Sequence, residues 1–269
     1  MNVDNAREEL GRLYERTLLD KQYLVDGLNS LLLPSNARII DVGCGSGGST
    51  QIIRECYPGA EIYGVDNSIR TLRYASMLLK NEKVKFVYAD AMHMPFSDSY
   101  FDCCIAKMLF DIVSNPEEIL KEMIRLLKPQ KTLLIYGNTR STAQGSSHLK
   151  SADKLIEAYK RYVRLSGWKG FDIEYIRGIL TEKYRMTVRV QKIIKDTANP
   201  GRESLAKYYV LPEEEIKRSA ENNVLAKLGL VSVRDVIEYE TSLKELLISS
   251  DEYLSFEQTI LYATKEKVQ

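Results

Sequence analysis

Several function classes need residues that this sequence has little of. Histidine occurs twice in 269 residues. The four cysteines, Cys44, Cys56, Cys103 and Cys104, form no CxxC pair and no Cys/His spacing of the zinc type, so no metal is expected. A disulfide framework is not expected either, which fits a reducing compartment. No apolar run approaches the roughly 20 residues that a bilayer span needs. The segment Met1 to Glu9 lacks the basic-then-apolar order of a secretory signal, so a cytoplasmic protein without a membrane span is expected. An excess of one charge is missing too: 38 Lys and Arg face 37 Asp and Glu, for a net charge of +1. That balance disfavours a partner held by phosphate neutralisation, and no nucleic acid is expected. What is present, 44% hydrophobic and 28% charged residues, is ordinary for a globular chain with a full core.

Hydrophobic spacing divides the chain into segments. Leu10, Leu13, Tyr14, Thr17 and Leu18, then Leu24, Leu28, Leu31 and Leu32, recur at helical spacing until Pro34. Short β-rich runs then alternate with helical stretches: strands at Arg38 to Val42, Glu61 to Asp66, Val84 to Tyr88, Phe101 to Lys107 and Thr132 to Tyr136. This alternation implies right-handed βαβ units around a parallel sheet, with ligands outside the carboxyl ends of the strands. The adjacent Cys103 and Cys104 alternate faces within their strand and are expected to be buried as small hydrophobes. The rhythm stops at Asn138. Helix-like pieces at Ala152 to Leu165 and Asp172 to Tyr184 follow, then a candidate strand at Arg185 to Ile193 and a turn at Asn199-Pro200-Gly201. A helix is expected from Pro212 to Gly229, then two closing strands, Val231 to Tyr239 and Gln258 to Lys265. The expected architecture is a doubly wound, Rossmann-like α/β fold with a seven-stranded sheet, mostly parallel with an antiparallel last strand. Residues 1–36 form a helical cover, 37–137 and 209–269 the core, and 138–208 an inserted lid.

The strand at Asp41 runs into Gly43-Cys44-Gly45-Ser46-Gly47-Gly48. Glycines there let the backbone turn sharply and approach a ligand, while the next helix aims its free N–H groups at the same space. The spacing also satisfies Gly-x-Gly-x-x-Gly, so an adenine nucleoside is implied and a dinucleotide stays open. Asp66, at the end of the second strand, suits a ribose diol in either case. Asp41, two positions before the first glycine, suits a ligand ammonium and disfavours a pyrophosphate. Asp90 with Ala91 and Met92 suits the edge and face of an adenine.

These segments resemble known motifs. Asp41-Val42-Gly43-Cys44-Gly45-Ser46-Gly47 is similar to the first motif of class I S-adenosylmethionine (SAM)-dependent methyltransferases, and Gly64-Val65-Asp66-Asn67-Ser68 to their ribose-binding motif. Asp90 to Asp102 and Glu122 to Pro129 resemble the ubiquinone/menaquinone-biosynthesis-like branch (methyltransferase type 11), with Gln130-Lys131 in place of the usual Gly-Gly. The resemblance implies SAM as cofactor and S-adenosylhomocysteine (SAH) as product. It places the methionine portion against Gly43, Cys44 and Gly45 with Asp41 near its ammonium. It places the ribose on Asp66, and the adenine against Asn67, Asp90, Ala91 and Met92. Backbone at Ala106 and Lys107 is implied to accept from the methionine ammonium.

On the acceptor side, methyl transfer from a sulfonium is a direct displacement that depends mainly on alignment, and a base helps only a protonated nucleophile. His148, after the fifth strand, is a candidate base, Tyr14 or Tyr23 a candidate cover residue, and His93 a loop residue. Tyr159, Tyr162, Trp168, Phe171 and Tyr175 are either the insertion's own core or the lining of a lid for an apolar or aromatic acceptor. The expected function is methylation of a small-molecule O, N or C nucleophile, with a homodimer compatible. A peptide or protein methyltransferase, an NAD-dependent oxidoreductase and a SAM-binding regulatory protein without turnover remain alternatives.

Overall fold

The computed structural model describes residues 3–19, 21–80, 83–138, 144–145, 154–155, 157–158, 161, 172–196, 216–217, 220–221, 223–249 and 254–266. The chain forms two compact units: residues 1–139, 171–193 and 258–269, and residues 140–170 and 194–257. The stretch 209–257, expected with the core, therefore lies in the second unit, and 171–193, expected in the insertion, lies in the first.

The first unit is built on β1 (Arg38–Val42), β2 (Glu61–Asp66), β3 (Val84–Tyr88), β4 (Phe101–Lys107) and β5 (Leu127–Asn138). They pair in parallel in the order β3-β2-β1-β4-β5. β7 (Thr187–Asp196) and β8 (Leu254–Thr264) extend this sheet: β8 lies antiparallel to β5, and β7 pairs with β8. This is the expected mixed, mostly parallel Rossmann-like sheet. Both faces of β1 and β4 are buried, which explains their nearly unbroken apolar runs. Ile40, Val42, Cys104, Ala106 and Leu133 pack on one side. Ile39, Cys103, Ile105, Leu134 and Tyr136 pack on the other, with Tyr23, Leu24 and Ile52. The two neighbouring cysteines thus fall on opposite faces, buried and free.

Helices cover the sheet. They are α1 (Val3–Leu19), α2 (Lys21–Asn29), α3 (Gly48–Cys56), α4 (Ile69–Leu78) and α5 (Pro116–Leu126). Local chemistry fixes their ends. Ser68 caps α4 by accepting from Thr71 N at 3.3 Å. Pro116, with Glu117 and Glu118, opens α5, and Arg125 lies in its last turn, all matching the helix dipole. α2 is pinned through two buried tyrosines. Tyr23 and Tyr136 meet edge to face at 5.2 Å, and Tyr136 Oη donates to Leu24 O at 3.0 Å. α6 (Ile173–Gly178), capped by Asp172, runs into a π-helical turn, Ile179–Lys183.

The second unit contains β6 (Gln144–Gly145), paired with Leu254 and Ser255, and α7 (Val224–Lys227) and α8 (Val233–Ser249). α8 corrects the strand expected over Val231 to Tyr239. The β-branched Val231, Val233, Val236 and Ile237 favour a strand, but Ser232 and Asp235 form a reciprocal capping box. Ser232 Oγ accepts from Asp235 N at 3.1 Å, and Asp235 Oδ2 accepts from Ser232 N at 3.0 Å. Satisfying these free helix N–H groups outweighs a strand propensity that is weak outside a sheet. The late strand in the sheet is β7 instead, as the candidate at Arg185 to Ile193 anticipated. The turn at Asn199 to Gly201, the helix start at Pro212, and Tyr159, Tyr162, Trp168 and Phe171 lie outside the described residues. Among the described residues no helix is long and apolar enough to cross a membrane.

The tyrosine contact leaves α2 no spare volume. A Cβ built on Gly27 lies 2.1 Å from Tyr136 Oη. Gly27→Ala is expected to lower the unfolding free energy by about 2 kcal/mol, the usual cost of overpacking a rigid core, read by urea denaturation against wild type. An unchanged midpoint would mean that α2 is not held there.

Candidate functional site

The carboxyl ends of β1, β2 and β4, the turn after β3 and one face of α1 enclose a cavity of about 780 Å³ in the first unit, a size typical of small-molecule sites. The glycine loop forms one wall. Gly43 and Gly45 have φ of +72° and +52°, in the left-handed region that glycine enters without strain. A Cβ at Gly43 would come within 2.9 Å of Leu109 Cδ1, whereas one at Gly45 would meet no protein atom within 4 Å and would enter the cavity.

Asp66 fastens this loop to the end of β2. Its Oδ2 accepts from Gly45 N and its Oδ1 from Ser68 N, both at 2.9 Å. Each carboxylate oxygen keeps a further lone pair. Asp66 and the exposed Asn67 both line the cavity. After β3, Asp90 Oδ1 accepts from Met92 N, and His93 N donates to Asp90 O, each at 2.9 Å. This tight turn sets Ala91 and Met92 on the wall beside Asp90, with His93 exposed.

Two of the expected residues stand behind the wall. Ala106 is fully buried in the sheet core. Asp41 is also fully buried, and its Oδ2 accepts from Ser49 Oγ at 2.7 Å and Thr50 Oγ1 at 2.6 Å, so it ties β1 to the first turn of α3. Its Oδ1 has no hydrogen-bond partner. Burial raises the Asp41 carboxyl above the usual range, opposed by the Thr50 and Ser49 hydrogen bonds and by Lys107. Cys44, buried in the wall, has its thiol pushed up by burial and by Asp41, so it is held neutral.

Lys107 lines the cavity and is half-buried. Strand alternation and the pairing of Asp41 with Ile105 place it on the same sheet face as Asp41. Burial pushes its ammonium down to about 8, with Arg16 adding to the fall and Asp41 and Asp111 opposing it.

Tyr14 is not on the wall. Leu13, Arg16 and Thr17 of α1 are, at the i, i+3, i+4 spacing of one helix face. Tyr14 is turned about 100° off that face. Its phenol is raised by burial first, then by Glu15, Glu55 and Tyr74. His148 lies outside the described residues. The sequence reading also missed the loop after β4, which begins at Met108 in a left-handed turn (φ +59°) and carries Leu109, Asp111, Ile112 and Val113 to the cavity. Its signal was an apolar run beyond a strand end that no helix absorbed.

Residues 40–135, about a third of the chain, match a family model described as a methyltransferase domain. This segment is a methyltransferase domain. It contains every expected cofactor residue. A sterol 4-C-methyltransferase of Caenorhabditis elegans is 33% identical over 111 residues, 39% of this chain and 32% of that protein. A demethylmenaquinone methyltransferase of a Geobacillus strain is 25% identical over 188 residues, 68% of this chain and 73% of that protein. The chain spans less than half the length of the sterol methyltransferases it matches. Among solved structures, Haemonchus contortus phosphoethanolamine N-methyltransferase 2, in complex with phosphomonomethylethanolamine and SAH, superposes with a TM-score of 0.55 at 18% identity. The match covers 91% of this chain and 53% of that one, and at this identity the likeness is one of fold.

The buried carboxylate of the methyltransferase domain makes a stability prediction. A carboxyl whose folded value is raised stabilises the fold fully only below its unfolded value, and that contribution is lost as pH climbs through the folded value. Asp41→Asn keeps an oxygen for Ser49 and Thr50 and removes the buried charge. Its stability relative to wild type is expected to improve between pH 4 and pH 8, measured by denaturant unfolding at each pH. A relative loss over that range would contradict the assignment.

Proposed function

We propose that this protein transfers the methyl group of SAM to a small-molecule nucleophile by direct displacement. The observation that carries this reading is the hydrogen bond from Gly45 N to Asp66 Oδ2. In a dinucleotide site the amides of such a loop face a pyrophosphate. Here one of them is committed to the half-buried Asp66 carboxylate, and another acid, the fully buried Asp41, stands at the strand end before the loop. Two acids at this position suit a ligand that is cationic, not anionic.

The residues present fit SAM on structural grounds. Gly45 leaves a space that a Cβ would fill, Asp66 retains acceptor capacity beside it, and Asp41 Oδ1 is buried and unpartnered. Asp66 would hold the ribose hydroxyls, and Asn67, Asp90, Ala91 and Met92 would enclose the adenine. Asp41 and the backbone at Ala106 and Lys107 would balance the methionine ammonium. SAM supplies an electrophilic methyl on a sulfonium. The protein's part is to align the acceptor with it and to exclude water. Leu13, Leu109, Ile112, Val113 and Ile119 give the cavity apolar wall, and Ile112 is 78% exposed. That wall, together with sterol and menaquinone methyltransferases among the relatives, supports an apolar acceptor.

Calorimetric titration tests the reading: SAM and SAH bind and NAD does not. NAD binding without SAM binding overturns it. Transfer of labelled methyl from SAM into an apolar extract, and not into a peptide pool, is the expected turnover result. Gly45→Ala separates site from fold. The left-handed φ costs about 1–2 kcal/mol of stability, while the new Cβ occupies ligand space, so the affinity for SAM is expected to fall more than about tenfold. Melting and titration of one preparation measure both.

A further inference from the structure

The wall offered to the adenine is held from behind. Asp90 to His93 form a tight turn bridged through the backbone of its two end residues, and the chain passes directly into Met94 to Asp98. On this segment the cavity wall ends at Met92. α5 grips the stretch that follows. The buried Glu122 Oε1 accepts from Met94 N at 2.8 Å. Arg125 Nη2 donates to Met94 O at 3.2 Å, and its Nη1 donates to Phe96 O at 2.9 Å. Arg125 is itself fixed: Glu122 Oε1 and Oε2 accept from its Nη2 and Nε at 2.7 Å each, and Asp98 Oδ1 accepts from its Nη1 at 2.6 Å. The Phe96 ring is anchored as well, edge to face against Tyr63 at 5.3 Å and Phe101 at 5.0 Å. At the head of the same helix, Asn115 Nδ2 lies 4.0 Å from Met92 Sδ.

Every nitrogen of this guanidinium is engaged, and so are both oxygens of its carboxylate partner. An ion pair out of solvent adds little stability over well-packed apolar residues, so its use here is better accounted for by the shape it imposes. A planar fork can bridge two backbone carbonyls and still hold a carboxylate with two bonds, which a lysine ammonium cannot do. We propose that Glu122 and Arg125 are positioning residues for adenine recognition: through Met94 and Phe96 they set where the turn at Asp90 to Met92 presents itself to the base. This rests on the SAM reading above and deepens it, since the base preference of the site is then decided by residues of α5 that line no part of it. In that reading the Asp90 carboxylate accepts from the adenine amino group. A shift of about 1 Å in the turn is enough to lose such a bond. The ribose and methionine portions rest on the ends of β1 and β2, outside the clamp, so loosening it costs discrimination between bases before it costs the nucleoside itself.

The test is calorimetric titration of wild type, Arg125→Lys and Arg125→Met with SAH and with its inosine analogue, in which an oxygen replaces the adenine amino group. The two ligands share the ribose and the amino-acid tail, so changes in those contacts cancel in the ratio of the two Kd values. Wild type is expected to prefer SAH by about a hundredfold, the penalty for setting one hydrogen-bond acceptor against another in a partly desolvated site. Both variants are expected to lower that preference below about tenfold, chiefly by weaker binding of SAH. The lysine variant keeps the charge beside Glu122 but not the fork. Gly27→Ala, which loosens the fold through α2, keeps the wild-type ratio, because lost stability alone does not move it. Melting curves confirm that each variant is folded, and if the methionine variant is not, the lysine variant decides. No base preference in wild type, or the wild-type ratio retained in Arg125→Lys, overturns the proposal while leaving SAM binding intact. Failure of SAH to bind wild type overturns the SAM reading and this inference with it.

Discussion

The site depends on one carboxylate. Asp66 takes backbone N–H groups from Gly45 and Ser68, and so joins the loop after β1 to the turn after β2. Without that bridge, a loop whose glycines occupy left-handed conformations would have no reason to hold one shape against the entropy of a flexible backbone. With it, two parallel strands that end side by side present a rigid floor, and α3 starts from a fixed place. The same residue determines the chemistry of that floor. An amide that could face a phosphate is spent on an internal acid, and the acid keeps lone pairs for hydroxyl groups.

Behind the floor the chain holds charge where charge is expensive. Asp41 is fully buried and satisfied on one oxygen only, and the half-buried Lys107 lies on the same face of the sheet. A core built for stability alone would carry apolar residues at both positions. Lys107 lines the cavity and Asp41 stands behind its wall, which points to a role in recognition, since groups with shifted titration gather where ligands bind. The first unit therefore combines a well-packed apolar framework, with Tyr23, Tyr136 and the two faces of β1 and β4, and a small charged region at the strand ends.

Much of this was legible in the sequence because it is local. Strands buried on both faces are apolar throughout, and Asp41, Asp66 and Asp90 lie at or just past the ends of β1, β2 and β3. The glycines that follow Asp41 can serve only a sharp turn or a close approach. What escaped depends on how elements dock. The face that α1 turns to the cavity is decided by packing against α3, so Arg16 and Thr17 line the wall while the more conspicuous Tyr14 does not. The side-chain direction of Lys107 follows from strand register with Asp41, which needs the pairing to be known. The helix over Val233–Ser249 was missed for another reason: the Ser232 and Asp235 capping box was in the sequence, but β-branched residues outweighed it in the reading.

A crystal structure of the protein with SAH tests the central claim most directly. The account predicts that both ribose hydroxyls lie within hydrogen-bond distance of the Asp66 carboxylate while the Gly45 amide stays bonded to it, with the adenine between Asn67 and Met92. Density for the nucleoside elsewhere, or an Asp66 that releases Gly45 so that the loop amides face the ligand, would contradict it.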